Sequence, residues 1–76
     1  MKYMFLNALR SKYEAEIEVA KANVRVYLDN PVGIGEHPDL VSAIDSQIEL
    51  MAAAKDKLKI LLDIWGYDNT TGTNDG

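Results

Sequence analysis

A ten-residue segment with two prolines and two glycines separates two long helical patterns of nearly equal length. It reads Asn30-Pro31-Val32-Gly33-Ile34-Gly35-Glu36-His37-Pro38-Asp39. Asn30-Pro31 ends a helix, because proline cannot continue the hydrogen-bond ladder and pushes the preceding residue out of the α region. Pro38 suits the first turn of a new helix, and Asp39 complements the positive end of the helix dipole. The segment therefore predicts an elbow over residues 30–37.

The residues before the elbow predict one long amphipathic helix over residues 3–29. Its main apolar stripe, spaced alternately by three and four, is Leu6, Leu9, Tyr13, Ile17, Ala20, Val24 and Tyr27. A second apolar stripe, almost opposite the first, is Ala8, Ala15, Val19, Ala22 and Val26. A helix with one partner needs only one stripe. Valine is a weak helix former, so we expect Val19 and Val26 to make a second packing contact. The alternative is that this stripe is an ordinary exposed surface whose alanines only favour the helix.

The residues after the elbow predict a second helix over residues 38–65. Its apolar positions are Val41, Ile44, Ile48, Met51, Ala54, Leu58, Leu61 and Trp65, widened by Leu40, Leu50 and Leu62. A single partner helix would leave much of this broad face in water. Gly66 is expected to cap the helix, and residues 67–76 are expected to form a flexible polar tail.

Two matched helices joined by a short elbow pack antiparallel, so the predicted fold is an all-α two-helix hairpin over residues 1–66. A chain of 76 residues has a marginal core, and this one has no cysteine for disulfides. We therefore predict dimerisation into a four-helix bundle, or a higher oligomer. The predicted helix–helix and dimer interface comprises Leu6, Leu9, Tyr13, Ile17, Val19, Val24, Val26, Ile44, Ile48, Met51, Leu58, Leu61, Leu62 and Trp65.

The charges are distributed unevenly along the predicted hairpin. Residues 1–13 and 53–65, which would form its open end, hold six cations against Asp56 and Asp63, a net charge of +4. Residues 14–52, towards the elbow, have a net charge of −6. Such a rod pairs most favourably with a copy that runs the opposite way. The alternative use of the basic end is contact with a phosphate backbone, although the chain's net charge of −4 disfavours general nucleic-acid binding.

The elbow itself admits several functional interpretations. Gly33-Ile34-Gly35 lacks the remaining glycines, preceding strand and lysine of phosphate-binding loops, and a lone histidine beside carboxylates is a weak metal signal. We favour the interpretation that the elbow only reverses the direction of the chain between the two helices. The functional alternative is a partner-binding tip formed by Ile34, Glu36, His37 and Asp39. Without a cysteine nucleophile or a serine near a histidine in sequence, we expect no enzyme activity, cofactor or metal.

The segment from Tyr27 to Leu61, above all the elbow string from Asn30 to Asp39, resembles small uncharacterised proteins encoded by tailed bacteriophages, especially marine ones. The resemblance covers about half the chain and implies a place in the host cytoplasm or in a virion. No apolar run approaches the ~20 residues of a membrane span, and the N-terminus does not predict a signal peptide. The sequence thus favours a non-catalytic interaction or structural module, either a virion accessory or a binder of a host factor. The alternative is a nucleic-acid-associated regulator.

Overall fold

The computed structural model describes residues 2–29 and 37–66. These ranges contain two helices, α1 (Lys2–Asp29) and α2 (His37–Trp65), and no strand. The predicted all-α class and the packing of the two helices against each other are confirmed. The body of the predicted elbow, residues 30–36, and the predicted tail, residues 67–76, lie outside the described residues.

The helices run antiparallel, as two contacts at different heights show. Near the open end, Leu6 of α1 packs against Leu61 of α2. Towards the elbow, Asn23 of α1 donates a hydrogen bond to Gln47 of α2. A later position on α1 therefore meets an earlier position on α2, which makes the two helices a hairpin.

The core between the helices is small. Within the described ranges, the buried apolar residues are Leu6, Ile17, Ala20, Ala54 and Leu61. Tyr13 and Leu58 pack against the Leu6–Leu61 cluster while remaining partly exposed. Ala20 and Ala54 are each only 1% exposed, and their small side chains allow the helices to approach closely. No large side chain in these ranges is fully buried, because a helix pair covers each helix from one side only.

The inward stripe of α2 contains five of the eight predicted positions and departs from the sequence pattern at three. Its buried and partly buried positions are Leu40, Ala43, Ile44, Gln47, Met51, Ala54, Leu58 and Leu61. Val41, Ile48 and Trp65, which belong to the sequence-derived stripe, are between 51% and 67% exposed. The polar Gln47 replaces Ile48 on the inward side, because its amide has a partner on α1. Because the apolar surface of α2 is broad, several rotations of α2 about its own axis would bury similar amounts of apolar surface.

The C-terminal end of α2 carries the predicted glycine cap. Gly66 adopts a positive φ of 67°, a conformation that glycine reaches without steric cost. Its N–H donates a 3.1 Å hydrogen bond to the carbonyl oxygen of Leu62, which pairs one of the last free carbonyls of the helix. At the opposite end, Asp39 lies in the first turn of α2, where its charge complements the helix dipole.

Candidate association surface

A shallow groove of about 540 Å³ runs between the helices on one side of the hairpin. Its walls are mostly apolar and come from both helices. The lining residues are Lys12, Ala15, Glu16, Val19, Ala20, Asn23, Gln47, Leu50, Ala53 and Lys57. Val19 and Leu50 are 60% and 55% exposed, so the hairpin alone does not use their apolar surface.

The apolar surface extends beyond the groove at both ends. Positions seven residues apart lie on nearly the same side of a helix. Phe5 and Val26 therefore share the side of α1 that carries Val19, and Ile60 and Ile64 share the side of α2 that carries Ala53 and Lys57. We name this surface, which consists of the groove with Phe5, Val26, Ile60 and Ile64, the groove face. The four added side chains are 42% to 64% exposed.

Two lysines interrupt the groove face at the same height along the hairpin. The Lys57 ammonium lies 5.4 Å from the ring centroid of Tyr13, the residue next to Lys12 in α1. At this distance the cation gains from the negative face of the ring while remaining accessible to solvent. Glu16 lines the same groove one helical turn from Lys12. The groove face is thus apolar along its length with a cation–carboxylate patch near its middle.

The opposite side of the hairpin has an apolar row on α2 but a mainly charged surface on α1. On α2, the seven-residue spacing aligns Val41, Ile48 and Leu62, which are 42% to 67% exposed, with Lys55 between Ile48 and Leu62. The neighbouring side of α1 is mainly charged, with exposed apolar side chains only near its two ends, at Tyr3 and Leu28. There Arg10 pairs with Glu14 at 3.3 Å, and Lys21 pairs with Glu18 at 3.4 Å. This opposite face therefore offers a narrower apolar surface than the groove face.

The predicted interface residues divide into two groups. The first group faces the hairpin interior, with Leu6, Ile17 and Leu61 buried and Tyr13, Val24, Ile44, Met51 and Leu58 partly buried. The second group is exposed and comprises Leu9, Val19, Val26, Ile48, Leu62 and Trp65. Val19 and Val26 lie on the groove face, whereas Ile48 and Leu62 lie on the opposite face. The exposed group is available to a second molecule.

The predicted partner-binding tip is described only in part. Ile34 and Glu36 lie outside the described residues, and His37 is the first residue of α2. Asp39 is exposed in the first helical turn. Within residues 2–29 and 37–66, no group of three His, Asp or Glu side chains is placed to hold a metal ion.

Several residues that shape this surface were not among the sequence-predicted site residues. Asn23 and Gln47 form a polar link between the helices, with 3.0 Å between Asn23 Nδ2 and Gln47 Oε1. Both continue the three-and-four spacing of the inward stripes. They were missed because they are polar and the sequence pattern was read from apolar residues. Phe5, Ile60 and Ile64 were also missed. The sequence signal for them is the seven-residue spacing, which relates Phe5 to Lys12, Ile60 to Ala53 and Ile64 to Lys57.

Comparisons with protein-family models, with curated proteins and with solved structures found no match to this chain. In the part of the chain that the structure describes, neither helix is long and apolar enough to cross a membrane.

Proposed function

We propose that this chain is a small non-catalytic module that acts through helix–helix association, with a second copy of itself as the first partner. The observation that carries the proposal is the imbalance between buried and exposed apolar side chains. Among the described residues, the interior of the hairpin buries five residues, two of them alanines, while fourteen large hydrophobic side chains remain exposed. Six of these side chains lie on the groove face, namely Phe5, Val19, Val26, Leu50, Ile60 and Ile64. Large exposed apolar patches mark sites of protein association.

The hairpin supplies half of a four-helix bundle. In such bundles each helix packs against two neighbours and so needs two apolar stripes. α1 has one stripe towards α2 and exposes Val19 and Val26 on another side. α2 likewise exposes Leu50, Ile60 and Ile64 away from its inward stripe. A second hairpin would cover these side chains and complete a common core.

The charge distribution supports an antiparallel arrangement of the two copies. The open end of the hairpin has a net charge of +4, and residues 14–52 have a net charge of −6. Antiparallel pairing sets the basic end of each copy beside the acidic half of the other, whereas parallel pairing would align like charges. The resemblance of the elbow to small phage proteins further supports work inside an infected host cell or in a virion.

Thermal unfolding at different protein concentrations tests this proposal. If folding is coupled to dimerisation, the Tm followed by circular dichroism rises by about 3–6 °C for a tenfold increase in concentration. A helical chain whose Tm does not change with concentration would contradict self-association.

A further inference from the structure

We propose that the groove face is the surface on which a second copy docks, antiparallel, with Glu16 of each copy against Lys12 and Lys57 of the other. This inference rests on the proposed function and adds to it the face and the register of the dimer. The groove face has a continuous apolar row on both helices, whereas on the opposite face the charged residues of α1 separate Tyr3 from Leu28.

The groove face has the residue pattern of a bundle interface. Bundles bury apolar residues that repeat with a spacing of about 3.5, as knobs that enter holes on the facing helix. On α1 the positions Phe5, Ala8, Lys12, Ala15, Val19, Ala22 and Val26 follow this spacing. On α2 the corresponding series is Ser46, Leu50, Ala53, Lys57, Ile60 and Ile64. The alanines near the middle leave room for the larger side chains of a facing copy.

The size of the groove face fits a dimer. Helices of this length extend for about 40 Å, and two packed side by side are about 20 Å wide. The resulting surface is on the order of 800 Å², which is the area that each partner contributes to a standard stable interface. The apolar surface also continues past the groove, to Phe5 and Ile64 at the open end and to Val26 towards the elbow, so a small ligand in the groove would leave both ends uncovered. A second hairpin of equal length covers the whole face.

The charged patch specifies the register. Lys12 and Lys57 lie at one height on the groove face, and Glu16 lies about 6 Å further along α1. A two-fold axis that passes midway between these heights brings Glu16 of one copy to the lysines of the other. That axis lies close to the middle of α1, so the two hairpins overlap along nearly their full length. Charged residues inside an otherwise apolar interface set register and orientation in this way.

Exchanging the charges tests this register directly. One variant carries Lys12→Glu and Lys57→Glu, and the other carries Glu16→Lys. In a homodimer of either variant, like charges meet across the interface, and we expect the dimer Kd to rise at least about tenfold. In a mixture, each variant offers the charge that the other lacks, so the two should form a heterodimer about as tightly as the wild type. Native mass spectrometry of the mixture, with one variant isotopically labelled, measures the heterodimer fraction.

A pair of matched substitutions tests the choice of face. Val19→Glu places a charge at the centre of the groove face, and Ile48→Glu places one on the opposite face. The two side chains are similarly exposed in the hairpin, at 60% and 51%, so neither substitution removes a buried contact within it. We expect Val19→Glu to raise the dimer Kd by at least about a hundredfold and Ile48→Glu to leave it nearly unchanged. Sedimentation velocity measures the dimer Kd of both variants.

The outcomes separate this inference from the proposed function on which it rests. A dimeric wild type that Ile48→Glu dissociates and Val19→Glu leaves intact would overturn the groove face while self-association stands. Unchanged dimers in both variants, or charge-exchanged variants that do not prefer each other, would also overturn the proposed arrangement. A helical wild type that remains monomeric would overturn both proposals, and the groove would then belong to a different partner.

Discussion

Asn23 and Gln47 join the two helices through a side-chain hydrogen bond, 3.0 Å from Asn23 Nδ2 to Gln47 Oε1. Both residues are partly buried among apolar neighbours on the inward stripes. A polar pair at such a position is satisfied in one helix register only, because sliding either helix by a turn leaves both amides without this partner. The pair therefore favours one alignment of the two helices, whereas the hydrophobic contacts alone would allow several.

The coupling between these two residues can be measured with a double-mutant cycle. Asn23→Ala and Gln47→Ala should each lower the free energy of unfolding by about 1 kcal/mol. The double variant should lose less than the sum, with a coupling of about 0.5–1.5 kcal/mol. Urea unfolding at one fixed protein concentration supplies the values. Fully additive losses would show that the hydrogen bond does not stabilise the fold.

Two adjacent leucines provide a matched test of the small core. Leu61 is 5% exposed and packs against Leu6, whereas Leu62 is 42% exposed on the opposite face. We expect Leu61→Ala to lower the free energy of unfolding by about 2–4 kcal/mol, enough to unfold a large fraction of the molecules of so small a protein. Leu62→Ala, the same chemical change, should cost less than about 1 kcal/mol. Equal losses in urea unfolding would contradict the orientation of α2.

The end of α2 should depend on the conformation of Gly66. A Cβ atom at this position would meet nothing within 4 Å, so a substitution is disfavoured by the backbone angle alone. We expect Gly66→Ala to cost about 1 kcal/mol and Gly66→Asn to cost less, because asparagine tolerates a positive φ better. Chemical denaturation of both variants provides the comparison. A destabilisation by asparagine as large as that by alanine would argue against the cap.

A nucleic-acid-associated regulator, the rival interpretation, would use the basic open end. There Lys59 pairs with Asp63 at 3.0 Å, and Lys57 lies over the ring of Tyr13. We expect no saturable binding when the protein is titrated with duplex DNA or with RNA at physiological salt, because the chain as a whole is acidic. Fluorescence anisotropy at two salt concentrations is the measurement. Binding that salt weakens, and that substituting Lys55, Lys57 and Lys59 with Glu reduces, would favour the rival.

The sequence predicted the helices better than it predicted their faces. On α1 the main stripe is flanked by charged residues, and this stripe contains the buried residues Leu6, Ile17 and Ala20. On α2 the apolar residues cover too much of the circumference to single out one direction. Near the middle of α2, the inward position is Gln47 instead of Ile48, and Gln47 accepts a hydrogen bond from Asn23, a contact that hydrophobic periodicity does not predict. Which exposed face meets a partner depends on how the two helices combine, and neither helical pattern contains that information alone.

Sedimentation equilibrium measures the self-association of the unmodified chain without a label or a substitution. The wild-type chain should show an average mass that rises from 8.5 kDa towards twice that value as the concentration increases through the micromolar range. The same samples should keep their helical circular dichroism signal. A single species of 8.5 kDa that remains fully helical at high micromolar concentration would show that the hairpin is a stable monomer and does not self-associate.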